Sequence, residues 1–416
     1  MINSLDIFLW NRKVGTLFTD KKGYQQQTCF YFDSEFVKNG YDIAPLRASI
    51  RGAVAQNQLP IYPDKDKIFG GLPSFIADSL PDYWGSLLFN EWAKLKHIKA
   101  KSISALDRLA YIGRRGMGAL EFQPSLSEDL EKPFKVEIEE LSELAQKALE
   151  QAKSFHTMMS PDFVVESLFK VGTSAGGRRP KAVINVNPNL GDCYSGQVDT
   201  PLPGYVPMII KFDEHLEIPT TRIEYSYYLM AIDAGMKMMP SQLVEGEKET
   251  HFITERFDRR CGEKIHVQTL AALDPLSASY EDLFKVALAI GVTPNEIEQL
   301  FVRMTMNVLC GNIDDHNKNF SFLMGKDGVW HIAPAYDFTF AIDVDAPAYM
   351  NTHCMTINGK NRDISADDLL AIAERFTVKG AESIISRLKE VVKNYPSYAS
   401  QAGVPDSYIT AILSAI

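Results

Sequence analysis

Asp314, Lys318, Asn319 and Asp337 are the residues of this chain whose types and order can do chemistry. They lie in Asn312-Ile313-Asp314-Asp315-His316-Asn317-Lys318-Asn319 and in Ala333-Pro334-Ala335-Tyr336-Asp337, with Asn319 five positions after Asp314 and Asp337 eighteen after Asn319. An aspartate placed first can take the proton of a hydroxyl, and a lysine can neutralise a transferring phosphoryl group. Asn319 and Asp337 offer the hard oxygen ligands that Mg²⁺ prefers. Base, amide ligand, hairpin, carboxylate ligand is the order a protein kinase uses to handle a hydroxyl and a metal nucleotide. His316 is expected to organise the loop by hydrogen bonding, because phosphoryl transfer needs positioning more than a second base. A zinc site through His316 has no second His or Cys at ligand spacing.

A second constellation precedes it. Gly172-Thr173-Ser174-Ala175-Gly176 has the form of a serine-hydrolase nucleophile elbow, with Asp314 and His316 downstream in the required order. An elbow needs a helix after the serine, whereas Pro180 and the β-branched Val183, Ile184 and Val186 predict a strand. Gly172 and Gly177 have Walker A spacing, yet Arg178 and Arg179 stand where Lys and Ser or Thr belong. What is left is a glycine-rich turn: Ser174, Ala175, Gly176 and Gly177 with Arg178, Arg179 and Lys181 beside them, chemically suited to covering phosphates with backbone N–H groups. Lys211 sits inside the apolar run Pro207 to Phe212, on the same strand face as Ile209, where a triphosphate would neutralise it. Glu224 on the next helix has two readings, a first-turn carboxylate favoured by the helix dipole and a partner for Lys211.

The elements that must hold these residues follow from periodicity. Short β-rich runs, Asp6 to Trp10 and Thr28 to Phe32, precede a Pro/Gly-rich loop from Leu59 to Pro73 and a helix from Asp82 to Lys96. An acidic, helix-prone stretch from Glu128 to Glu150 marks a boundary. Strands are expected at Ala182 to Asn187, Val206 to Phe212 and His251 to Phe257, with few after Cys261, where helical periodicity takes over. A helix whose face is Ile297, Leu300, Phe301, Met304 and Val308 runs into Gly311, and Phe320 to Met324 with Val329 to Ile332 reads as a hairpin that returns Asp337 to Asn319. The expected organisation is residues 1–155 as an N-terminal subdomain, 156–260 as an ATP-binding α/β subdomain and 261–416 as a mostly helical catalytic lobe. The fold class is α+β, a bilobal protein-kinase-like fold with an extra N-terminal subdomain.

At 416 residues, 45% of them hydrophobic and 23% charged, the chain has the composition of a folded multidomain protein. Its net charge of −10 argues against broad nonspecific binding to nucleic acid or anionic membrane. Five scattered cysteines without a Cys-x-x-Cys pair suit a reducing compartment, and no apolar run reaches membrane-spanning length, so a cytoplasmic protein is expected.

Taken together these segments resemble the HipA-like serine/threonine kinases, toxin components of bacterial type II toxin–antitoxin modules. The resemblance is carried by Ser174 to Lys181, Ile209-Ile210-Lys211, Ile253-Thr254-Glu255-Arg256-Phe257-Asp258-Arg259, Asn312 to Asn319 and Ala333 to Asp337. Ala77 to Asp82 and Asp107 to Gly113 look like the family's first subdomain. The resemblance implies that Lys211 binds ATP phosphates and that Glu255 and Phe257 meet adenine. It makes Asp314 the catalytic base, Asn319 and Asp337 the Mg²⁺ ligands, and His316 and Lys181 part of the nucleotide site. Ser174 matches the family's phosphate-loop serine, whose autophosphorylation switches the kinase off. It implies a protein substrate, in known cases an aminoacyl-tRNA synthetase, and a small helix-turn-helix antitoxin of HipB type, with DNA reached only through the antitoxin and no membrane. The chain departs from the common pattern at Asp315, where Gly is frequent, which leaves two adjacent carboxylates; the role of the loop 187–205 is not legible. A nucleotide-binding scaffold that acts by sequestering a partner is the alternative, although it gives no chemical reason to keep Lys211, Asp314, Lys318, Asn319 and Asp337.

Overall fold

The computed structural model describes residues 2–22, 25–55, 60–63, 69–98, 103–126, 133–153, 172, 177–189, 191–196, 203–213, 218–246 and 249–416. The chain forms two compact units, one of residues 1–216 and 245–268, the other of residues 217–244 and 269–416.

The first unit holds two larger sheets and a short two-stranded ladder, Arg259–Arg260 with Glu263–Lys264. Strands β1 (Ser4–Leu9), β2 (Arg12–Lys22), β3 (Gln25–Phe32) and β4 (Leu120–Gln123) form an antiparallel sheet in the order β3-β2-β1-β4. Trp10 and Asn11 join β1 to β2 with φ of 48° and 62°, the two-residue hairpin geometry that matches strand twist. The second sheet places β5 (Lys135–Val136), β7 (Cys193–Ser195), β6 (Lys181–Val186) and β8 (Val206–Lys211) side by side, followed by β10 (Thr250–Glu255); β9 (Ser241–Glu245) lies where the chain crosses between units. The loop 187–205 therefore contributes a short inner strand, β7, bonded to both β5 and β6.

The helix Tyr83–Leu95 begins after Asp82, whose carboxylate does not cap it. That carboxylate instead accepts the Gly177 N–H at 2.9 Å, while the Trp84 indole donates to the Lys181 carbonyl at 2.8 Å. The stretch ending at Asp82 thus anchors the exit of the glycine-rich segment.

Glu249, at the start of the approach to β10, is half-buried. Burial, with Asp213 and Glu139 as like charges, pushes its carboxyl up to about 7. Between the usual carboxylate range and about 7 the folded chain keeps a proton that the unfolded chain releases, so stability falls as pH rises through that window. Glu249→Gln is expected to stabilise the chain at pH 8 by about 1 kcal/mol, a figure already discounted for solvent screening. Identical urea midpoints for variant and parent at pH 8 would refute it.

The second unit is mostly helical: Thr220–Asp233, Tyr280–Ala289, Pro294–Leu309, Ala366–Arg375, Ala381–Lys393, Tyr395–Gln401 and Asp406–Ala415. Helix Pro294–Leu309 starts with proline in its first turn and a Thr293/Glu296 capping box, and Gly311, at φ 69°, takes the left-handed conformation just beyond it. Its Val302 and Met306 pack with Tyr227, Met230, Leu388 and Tyr395 in one buried cluster. Strands are more numerous after Cys261 than expected: Glu263–Lys264, which pairs back with Arg259–Arg260, and His266–Thr269 precede the anticipated hairpin of Ser321–Met324 with Trp330–Ile332. Ladders of two to four residues are too short to register as a period-two pattern.

Candidate functional site

In the first unit the sheet register sets Lys181 directly opposite Lys211 on neighbouring antiparallel strands. Opposed residues share a face, so two buried lysines leave the sheet on the same side. On the other flank Lys211 faces Phe252, with Nζ 5.7 Å from the ring centroid. Glu255 ends β10, half-buried, and the half-buried Phe257 follows it in the turn. Ser174, Ala175 and Gly176 lie outside the described residues; Gly177, at φ 99°, is described, with its N–H given to Asp82.

Between Glu255 and the next ladder stands a buried charge cluster. Asp258 accepts from Arg256 Nε and a terminal Arg256 nitrogen at 2.9 and 2.8 Å, from Arg259 at 2.6 Å and from the Gly118 N–H at 2.7 Å. Arg259 also donates to the Gly116 and Gly118 carbonyls, each at 3.0 Å. The segment that the resemblance assigns to adenine is thereby fixed to the loop before β4.

In the second unit the catalytic-type loop follows helix Pro294–Leu309. The Asn319 amide nitrogen donates to the Asp314 carbonyl at 2.8 Å, which leaves its Oδ1 as the end that can meet a cation. His316 Nδ1 accepts the Lys318 N–H at 3.2 Å, and the His316 carbonyl accepts the Asn319 N–H at 2.9 Å. His316 therefore shapes the loop, as its chemistry suggested. The Tyr336 hydroxyl donates to the Lys318 carbonyl at 2.7 Å, tying the loop to the Ala335-Tyr336-Asp337 bend. Asp337, at φ 50°, and Asn319 line one recess together with Arg303 and Asp315. Burial pushes the Arg303 guanidinium down to about 10, so it stays charged at neutral pH. Glu224 is the fifth residue of helix Thr220–Asp233 and buried, beyond the first turn where a dipole effect would act.

The two adjacent aspartates differ completely. The Asp314 side chain is 68% exposed, with His316 Nε2 at 3.9 Å and Cys354 Sγ at 3.9 Å from its Oδ1. Asp315 is buried: Oδ2 accepts from the Tyr280 hydroxyl at 2.7 Å and faces His353 Nδ1 at 2.8 Å, and Oδ1 accepts the Cys354 N–H at 2.8 Å. A carboxylate spent on three strong donors cannot receive a substrate proton; the exposed one can. Tyr280 and His353 lie outside every motif noted in the sequence, and the sole local clue to them was the doubled aspartate.

A family model of the HipA-like C-terminal domain matches residues 173–397, just over half of the chain. The chain belongs to the HipA-like family. A model of the HipA N-terminal domain matches residues 5–123. No curated protein matches the sequence. Among solved structures, HipA of Shewanella oneidensis MR-1, determined as a complex of HipA, HipB and operator DNA, aligns with a TM-score of 0.66 at 16% identity, covering 99% of this chain and 94% of that one. The proinflammatory kinase CtkA of Helicobacter pylori aligns with 52% of this chain and 94% of its own at 14% identity and a TM-score of 0.31. The fold is the α+β fold of HipA. Among the described residues no helix is long and apolar enough to cross a membrane.

Proposed function

We propose that this HipA-like chain is a cytoplasmic serine/threonine kinase that transfers the γ-phosphoryl group of ATP to a protein hydroxyl and to its own Ser174, as the toxin of a toxin–antitoxin module. The observation that carries the reading is the split between the aspartates, one exposed beside an oriented Asn319 amide and one consumed by protein donors. The donor chemistry suits Mg²⁺: Asn319 and Asp337, which line a shared recess, carry one amide and one carboxylate as hard oxygen ligands. Mg²⁺ commonly takes one or two carboxylates and completes its shell with water and substrate phosphates. Bound Mg²⁺–ATP would supply the transferable phosphoryl group and neutralise its charge. Lys181 and Lys211 would hold the phosphates, Asp314 would take the hydroxyl proton, and Lys318 would balance charge on the moving group.

A HipB-type antitoxin is the proposed partner, because the Shewanella relative was solved with HipB and operator DNA; DNA would be reached through that partner. An aminoacyl-tRNA synthetase is the substrate class that the resemblance suggests. Intact mass before and after incubation with Mg²⁺ and ATP, followed by phosphosite mapping, tests the reading: an added phosphate on Ser174 supports it, and no added mass together with no transfer to any protein substrate overturns it.

Asp337→Ala is expected to weaken Mg²⁺-dependent ATP binding by at least about 10-fold, the lower end of what even an outer partner of a metal ligand costs, and to leave the metal-free fold intact. Calorimetric titration across Mg²⁺ concentrations checks it. Binding equal to that of the parent at every concentration would move the metal site elsewhere.

A further inference from the structure

Asp315 is the centre of a hydrogen-bond chain that the proposed chemistry does not use. The Asn312 amide donates to Asn307 Oδ1 at 2.9 Å, the Asn307 amide to the Tyr280 hydroxyl at 2.8 Å, and that hydroxyl to Asp315. From the opposite direction His353 Nδ1 and the Cys354 N–H reach the same carboxylate, and the Met355 N–H approaches at 3.5 Å. The Cys354 N–H also meets the Ile313 carbonyl at 3.1 Å, so residues 353–355 lie strapped along the loop that carries Asp314. The strap is held from behind as well: the Tyr280 N–H donates to the Thr356 carbonyl at 2.9 Å, and Thr356 N–H to the Ala278 carbonyl at 3.0 Å. Its consequence at the surface is that the Cys354 thiol touches Asp314 Oδ1.

We propose that Asp315 is a positioning residue, a buried clamp that ties residues 353–355 to the catalytic loop and thereby holds Asp314 in its reactive place, an inference that rests on Asp314 being the base. The arrangement answers why two carboxylates stand together. A loop whose reactive side chain is exposed has little packing of its own to fix it, and a saturated neighbour one residue away supplies the missing rigidity. Tyr280 and His353 act through Asp315 and touch no reacting atom; Cys354 reports on the strap. Although Cys354 is exposed, partial desolvation with Asp314 and Asp315 as like charges pushes its thiol up to about 11, which favours the less reactive thiol form while the strap is closed.

The test keeps both carboxylates and loosens the clamp from either side, with Tyr280→Phe and His353→Ala in the full chain. Each should lower kcat by about 10- to 100-fold with the KM for ATP unchanged, the size that a misplacement of the order of 1 Å costs. Each should also raise severalfold the rate at which iodoacetamide modifies Cys354, followed by peptide mass because Cys261 and Cys354 are both exposed and must be counted separately. His353→Asn, whose amide nitrogen can stand near the position of Nδ1, should recover most of both losses. Unchanged Cys354 alkylation in both loosening variants overturns the clamp, as does a His353→Asn chain no better than His353→Ala. A parent chain without phosphoryl transfer would overturn the kinase reading alone, and the alkylation rates would still decide the clamp.

Discussion

Asp314→Asn is expected to lower phosphoryl transfer by roughly 10²–10⁴-fold while ATP and Mg²⁺ still bind. The substitution removes the one carboxylate of the loop that is open to a substrate hydroxyl and keeps its shape and its backbone carbonyl, which orients Asn319. Asn319, Asp337, Lys181 and Lys211 are untouched, so the nucleotide should be held as before. A radiolabel transfer assay beside calorimetric ATP titration separates the two effects. Near-normal turnover would remove Asp314 from the mechanism. Loss of ATP binding in step with loss of turnover would mean that the aspartate holds the nucleotide. A parent chain that binds ATP and transfers nothing would favour the sequestering scaffold. Asp315→Asn is a poor control for the base, because an amide in that buried place sets its own N–H groups against Tyr280, His353 and the Cys354 backbone.

What the sequence made legible is local in origin. The hairpin Ser321–Met324 with Trp330–Ile332 was readable because its turn contains Gly325 and Gly328, the latter at φ 75°. Gly235 and Gly311 marked helix ends because both take positive φ beyond the last turn. The spacing of Asp314, Asn319 and Asp337 survived for the same reason: one loop and one hairpin connect them. What could not be read depends on distant partners. Lys181 and Lys211 were each noticed, but their opposition is a fact of register, which the whole sheet sets. Strand β7 is only three residues long and carries too little pattern to stand out in a long loop. The meaning of the doubled aspartate waited on Tyr280 and His353, 35 and 38 residues away. Likewise Arg256, Phe257 and Asp258 sat in a noticed motif, while the Gly118 N–H that completes the Asp258 site comes from 140 residues earlier.

That site carries the largest stability effect expected in the chain. Asp258→Ala should cost about 3–5 kcal/mol, the usual result of removing one partner from a buried ionic group, because it strands two guanidiniums in a place without water. The side chains of Arg256 and Arg259 are 1% and 3% exposed, so neither can turn outward to recover hydration without moving the chain around it. Burial by itself would raise the Asp258 carboxyl; the charges of Arg256 and Arg259 and the Gly118 N–H outweigh it and hold the group well below the usual carboxylate range. A depressed folded value means that this stabilisation is complete above the unfolded carboxylate range and is lost as pH falls through and below it. Urea denaturation at pH 7 and at successively lower pH follows from this: the gap between parent and variant should be widest at neutral pH and narrow on acidification. Because Arg259 grips Gly116 and Gly118 while Glu255 and Phe257 lie within a few residues, the folded fraction of the variant should also bind ATP more weakly. A gap under about 1 kcal/mol at pH 7 would place the cluster among exposed ion pairs in its worth and contradict its burial.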